Sequence, residues 1–412
     1  MTRIALLPSS YPPSLGGVEE LTRHLALSLV DAGDEVEVWT GQPDDAAPET
    51  AEIRDGLVVR RLPMPLPATN RPSVRRTATT GTRTLGSLRG AVAAFRPEVL
   101  HVQCFGPNGA YATALSRVSG LPLIITLQGE TLMDDADIFE TSRVLRFALR
   151  MGIRSAFAVT ACSAFTLGDA ERRFGLAPGK GRVIPNGVDL DDERGSAART
   201  APAGPPAGLR GRPYILALGR VVENKGFDLL LAAFAAMDQG LRTADLVIAG
   251  AGPALESLSA CAAALGVAGR VHFPGRLSRD EVVGAMGGAT LFVMPSRREP
   301  FGIVVLEAWK AGTAVVATDR GGPPEFVHSG RDGVLVDPFD TAAFAAALEL
   351  LLADPDQRRA IALAGHERVR EFGWPVIADR YRQLYAGATG SNGGRSEPPG
   401  GVHPSHQEEP VR

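Results

Sequence analysis

Short apolar runs alternate with longer helical patterns from the first residues onward, and this rhythm constrains the fold more than any other feature. "RIALLP" (3–8) reads as a buried strand. "GVEELTRHLALSLVDAG" (17–33) reads as a helix, with Leu21, Leu25 and Leu29 on one face and Gly33 placed to end it. The next strand is "EVEVWTG", and "PEVLHVQ", "PLIITLQG" and "FAVTACS" follow at intervals that fit βα units. Apolar strands alternating with helices indicate a parallel sheet covered on both faces.

The rhythm breaks at 191–212, a stretch rich in Ala, Gly and Pro without periodicity, and restarts with "YILALGR". A chain of 412 residues is too long for one ordinary core and is expected to divide into two domains of ~150–200 residues each. The expected division is an α/β domain over 1–190, a linker over 191–212, a second α/β domain over 213–373, a helix over 374–388 and a disordered tail over 389–412. Residues 60–90 read as the least regular part of the chain.

A hydrophobic content of 44% and a charged content of 22% are ordinary for a globular protein. The net charge of -3 argues against nucleic acid as a partner. Cys104, Cys162 and Cys261 are too scattered for a metal site or a disulfide framework, which fits a reducing cytoplasm. The apolar run Ile4–Leu7 is too short for a secretory signal. No run approaches the roughly 20 apolar residues of a membrane helix.

Four loci carry chemistry. Gly16-Gly17 open a helix after a strand, where free N–H groups can meet a phosphate; a tight turn is the plain alternative. "GAGPAL" (250–255) begins as a dinucleotide fingerprint but has Leu255 in its last small position, so a nicotinamide-dependent oxidoreductase is weakly supported. In "LGRVVENKGFDLLL", Arg220 and Lys225 leave the end of a strand and can clamp phosphates. A cation near a helix start is unfavourable unless an anion faces it. In "SRREPFGIVVLEAWKAG", Glu299 lies in a strand-to-helix loop and Glu307 in the helix, with the N–H groups of Phe301 and Gly302 between them. The N–H groups suit phosphate, and ionised carboxylates suit hydroxyls. Phosphates and many hydroxyls together describe a sugar nucleotide.

These residues resemble a known family. "EPFGIVVLE" followed by "AGTAVVATDRGGPPE" looks like the E-x7-E signature of retaining glycosyltransferase family 4, which has the GT-B fold of two doubly wound Rossmann-like domains facing a central cleft. "LGRVVENKG", "VIPNGVDL", "RVHFPGRL" and "SLGGVEELTRHLALSL" resemble other segments of that family, and the likeness spans residues 3–388. The resemblance implies an acceptor-binding first domain, a donor-binding second domain and a 374–388 helix that crosses back to the first. It implies that Glu299 holds donor-sugar hydroxyls, Glu307 holds the ribose, and Arg220 and Lys225 neutralise the diphosphate. Gly16, Gly17, Pro300, Phe301, Gly302 and Ile303 would complete the donor site, with Arg276 and Leu277 against the base. The implied reaction moves a sugar, with retention, from a UDP- or GDP-linked donor to an acceptor hydroxyl, without metal or other cofactor. The donor phosphate can then take the acceptor's proton.

Gln128 in "TLQGE" departs from the family's usual histidine; it can hydrogen-bond a hydroxyl but cannot shuttle a proton. A nucleotide-sugar-binding protein that has lost turnover, or a related transferase using a sugar-like substrate, is therefore the alternative. His101 and Asn186 are further candidates for sugar or acceptor contacts, though a packed histidine is an equal reading of His101. Asp135 and Asp137 form a D-x-D that resembles a metal motif of a different fold, and no metal is expected. Between Leu57 and Pro97 stand eight arginines and no acid or lysine, and Arg143, Arg146, Arg150 and Arg154 line one helix face. A solvated surface is the plain reading; an anionic acceptor or contact with an anionic membrane is the functional one. The expected location is the cytoplasm or the inner face of the cell membrane.

Overall fold

The computed structural model describes residues 1–13, 16–42, 49–65, 71–133, 138–190 and 211–390. Asp135, Asp137, nearly all of the 191–212 stretch and all but the first residues of the 389–412 tail lie outside them.

Among the described residues, the first eight strands form one sheet. They are β1 (Arg3–Pro8), β2 (Glu35–Gly41), β3 (Thr50–Arg54), β4 (Leu57–Leu62), β5 (Val99–Gln103), β6 (Leu123–Leu127), β7 (Ala158–Ala161) and β8 (Gly181–Val183). Their order is β3-β4-β2-β1-β5-β6-β7-β8, parallel except for the β3–β4 hairpin at the edge. The second sheet contains β9 (Tyr214–Leu218), β10 (Asp245–Ala249), β11 (Val271–Gly275), β12 (Leu291–Met294), β13 (Val315–Thr318) and β14 (Val334–Val336). Its order is β11-β10-β9-β12-β13-β14, parallel throughout. Both halves are thus Rossmann-like α/β domains, the GT-B architecture.

Each sheet reverses its winding beside its first strand, between β1 and β5 and between β9 and β12. Ligands of open α/β sheets bind outside the carboxyl ends of the strands at such a reversal. In the second domain that point lies between the loops after β9 and β12, which carry Arg220, Lys225 and Glu299.

Apolar clusters cover both faces of both sheets. The helix Gly17–Asp31 buries Leu21, Leu25 and Leu29. Against that face lies the helix Trp374–Ala388, which places Ile377, Tyr381 and Leu384 in the first domain's core. Fully burying an apolar side chain is worth about 1.5–3 kcal/mol, so this helix is firmly seated on the first domain.

One expectation is corrected. Of residues 60–90, the end of β4 holds 60–62, and 71–90 belong to a regular 25-residue helix, Arg71–Phe95. Its glycines and threonines are poor helix formers. The helix is fixed instead by burial of Thr84, Leu88 and Ala91 on one side.

Candidate active site

Two loops of the second domain build the centre of the site. After β9, Gly219 leads to Arg220 and a short 3-10 turn, Glu223–Lys225. Gly226 then takes φ +66, and a Cβ there would collide with the carbonyl of Pro295 in the loop after β12. The two loops are also joined by the Arg297 amide donating to Asn224 O at 2.9 Å and by the bidentate Arg297–Asp228 pair at 2.7 and 2.6 Å.

This packing brings Lys225 to Glu299, 74 positions apart in sequence, with Nζ donating to Oε2 at 2.7 Å. Ser296 Oγ donates to the same oxygen at 2.8 Å. Both bonds fall on Oε2, so Oε1 is the oxygen available to a further hydroxyl. Glu299 is 7% exposed. Its backbone is locked as well: its N–H donates to Arg320 O at 3.0 Å, and its carbonyl accepts from Gly322 at 2.8 Å. Gly321, at φ +126, lies so close that any Cβ would overlap the Glu299 carbonyl.

Gly302, at φ +100, turns the chain into the helix Ile303–Lys310. Phe301 is a core residue, stacked on Phe326 at 4.6 Å, so only its backbone faces the helix mouth. Ile303 packs against the cores of both domains. Leu277 joins the cluster that holds Phe301, while Arg276 is exposed. Glu307 is half-buried, and desolvation pushes its carboxyl up to about 7, opposed by Arg279 and Lys310 and reinforced by Glu20 of the first domain.

The first domain closes over this centre. A Cβ on Gly129, which has φ +97, would strike the Pro300 ring. Glu325 reaches across to accept the N–H groups of Ala164 and Phe165, at 2.6 and 2.8 Å, at the start of the helix Ala164–Phe174. Gln128 stands beside Gly129 and donates from Nε2 to Gln103 Oε1 at 3.1 Å. Asn186 is buried in a loop whose next residues, Gly187 and Val188, pack and pair with Trp374 and Phe372.

Two expected positions differ. His101 does not face the cleft. It is fully buried, with Nδ1 2.7 Å from Tyr385 Oη and Nε2 2.8 Å from Thr126 Oγ1, and burial holds its pKa at about 3. The helix mouth at Gly16-Gly17 is not bare: the carboxylate of Glu19 fills the space where a Gly16 side chain would stand and is held by Ser10 Oγ at 2.6 Å.

Glu130 is a residue that sequence reasoning passed over. Its carboxylate accepts the N–H groups of Phe105 at 2.6 Å and Gln128 at 2.7 Å, tying together the loops after β5 and β6. Burial pushes its carboxyl up to about 7 against those bonds. Its position just after a strand, in "TLQGE", was the only available signal.

Residues 15–192 match the family model described as Glycosyltransferase Family 4, and residues 207–368 match Glycosyl transferases group 1. The alpha-D-kanosaminyltransferase of Streptomyces kanamyceticus is 30% identical over 70% of this chain and 74% of its own length. The D-inositol 3-phosphate glycosyltransferase 1 of Catenulispora acidiphila is 29% identical over 93% of each chain. Among solved structures, Anabaena HepE in complex with UDP-glucose superposes with a TM-score of 0.71 at 19% identity, over 94% of this chain and all of that one. With its two facing Rossmann-like domains, the chain belongs to glycosyltransferase family 4, the retaining GT-B enzymes that transfer sugars from nucleotide-sugar donors.

Proposed function

We propose that the donor, UDP- or GDP-linked, lies across the helix mouth at Gly302, with its diphosphate between Arg220 and Lys225. The Lys225–Glu299 pair carries this reading, because it sets a diphosphate-neutralising cation 2.7 Å from a hydroxyl-accepting carboxylate. Lysine has three donors, so it can hold Glu299 and a phosphate together. Glu299 then orients the sugar, Glu307 accepts the ribose hydroxyls, and the segment at Arg276 and Leu277 lies against the base through its backbone. Departure of the nucleoside diphosphate needs stabilisation of its developing charge, which the two cations and the N–H groups of Phe301 and Gly302 supply. The leaving phosphate takes the acceptor's proton, so no side-chain nucleophile is required.

Only the ionised carboxylate of Glu307 can accept both ribose hydroxyls, since protonation turns one of its two oxygens into a donor, which gives a test. With its carboxyl raised to about 7, UDP or GDP affinity should fall about tenfold between pH 8 and pH 6. Glu307→Gln should bind more weakly and lose most of that dependence, as read by titration calorimetry. The sign for stability is opposite. A carboxyl raised above its unfolded value destabilises the fold above pH ~7, and the penalty fades as pH falls from ~7 towards ~4.5. Glu307→Gln should therefore gain about 1–3 kcal/mol at pH 8. Unchanged pH dependence of binding in the variant would remove Glu307 from the ribose site.

We further propose that the acceptor is anionic or membrane-borne and that the enzyme works at the inner face of the cell membrane. The helix Arg143–Ser155 buries Leu145, Leu149 and Ile153 and exposes Arg143, Arg150 and Arg154 beside Phe147, itself 66% exposed. Exposed cations with an exposed aromatic suit an anionic lipid surface. Among the described residues no helix is long and apolar enough to cross a membrane. Flotation with phosphatidylglycerol vesicles should show binding at low salt that is lost in ~0.5 M salt, since screening weakens such contacts, and lost in the triple Arg→Glu variant. No binding at low salt would exclude the lipid contact.

A further inference from the structure

A hydrogen-bonded chain runs from the cleft into the crossing helix. Gln128 Nε2 donates to Gln103 Oε1 at 3.1 Å. Gln103 Nε2 lies 3.2 Å from His101 Nε2, and His101 Nδ1 lies 2.7 Å from Tyr385 Oη. Gln103, His101 and Tyr385 are all buried. The polarity is set link by link. Gln103 offers its amide nitrogen to His101 Nε2, so that ring nitrogen accepts and Nδ1 carries the proton towards Tyr385. Thr126 Oγ1 lies 2.8 Å from Nε2 and donates to Tyr381 Oη at 3.4 Å. Burial keeps the ring neutral, as this arrangement requires.

The far end of the chain is unfinished. Gln128 Oε1 is buried and accepts no hydrogen bond from any described residue. Leaving a buried acceptor unpaired costs about 1–3 kcal/mol. The backbone of Gln128 is independently fixed by its N–H bond to Glu130, and its neighbour Gly129 abuts Pro300, next to Glu299. The orphaned oxygen is thus held close to the proposed sugar site.

We propose that Gln103, His101 and Tyr385 form a positioning relay that orients the Gln128 amide so that Oε1 accepts a hydrogen bond from one hydroxyl of the bound sugar. This inference rests on the donor-site reading above. The relay makes the crossing helix part of sugar recognition. It also assigns the direction of the bond: the sugar donates and the protein accepts.

The test uses UDP-glucose and GDP-mannose with their monodeoxyfluoro analogues at each hydroxyl remote from the anomeric carbon. Fluorine cannot donate a hydrogen bond, and a site built to bond a hydroxyl rejects an analogue lacking it. The unmodified enzyme should prefer the parent by about tenfold or more in kcat/KM at one position. Gln103→Leu frees the Gln128 amide to rotate. Tyr385→Phe removes the Nδ1 partner and lets the ring tautomer and both amides reverse. Each variant should lower kcat/KM for the parent and bring the parent-to-analogue ratio towards one, with affinity for UDP or GDP alone unchanged within about twofold. An equal loss for parent and analogue, which a merely structural role would give, overturns the relay. So does an unchanged ratio in both variants. If the unmodified enzyme turns over no nucleotide sugar, the donor reading fails and the relay falls with it, a result distinct from the other two.

Discussion

Glu299→Ala is expected to lower kcat/KM for sugar transfer by about a thousandfold or more while leaving the fold intact. The Glu299 carboxylate pairs directly with Lys225, Oε2 to Nζ at 2.7 Å. In the proposed donor site, its removal takes away the acceptor for sugar hydroxyls, and it leaves the Lys225 ammonium and Ser296 hydroxyl without their shared partner. Loss of one preorganised polar group in a dry site commonly costs about 10²–10³-fold, and here two functions are lost together. The fold should survive because the bonds that lock this loop come from the backbone of Glu299 to Arg320 and Gly322. The measurement is nucleoside-diphosphate release from a nucleotide sugar, with thermal unfolding of the same sample. Near-normal release would remove Glu299 from the donor site.

Lys225→Ala is expected to slow turnover by about 10²–10³-fold and to weaken UDP or GDP binding about tenfold. The leaving diphosphate gains charge in the transition state, so a cation there acts more strongly on turnover than on ground-state binding. Lys225→Arg should recover only part of the loss, since a planar guanidinium does not replace a compact ammonium. Comparing kcat and KM for the three proteins separates these effects. A rise in KM with unchanged kcat would make Lys225 a binding residue only.

The parts of this site that are legible in the sequence are local. The alternation of strands and helices reports burial on both faces, and Glu299, Gly302 and Glu307 lie within one strand-loop-helix unit whose spacing is fixed by backbone geometry. Arg220 and Lys225 are legible because a strand end fixes where they emerge. What escapes the sequence depends on contacts between distant segments. Whether His101 faces the cleft or the core is decided by Tyr385, 284 positions away. The carboxylate of Glu19 at the Gly16 helix mouth needs Ser10 to hold it, and no pattern in "GGVEE" announces that pairing. Glu130 gains its place from amides on two strands at once. The Arg71–Phe95 helix was hidden by its own composition, since tertiary burial rather than propensity fixes it.

This protein is expected to transfer a sugar from a nucleotide donor with retention, using the proposed Lys225–Glu299 centre. The most direct measurement is NMR of the product formed from UDP- and GDP-sugars, with water or a lipid-linked hydroxyl as acceptor and with Glu299→Ala as control. Release of the nucleoside diphosphate from at least one donor, an initial product with the donor's anomeric configuration, and loss of both in the control are expected. A product of inverted configuration, or release that persists in Glu299→Ala, would contradict that expectation.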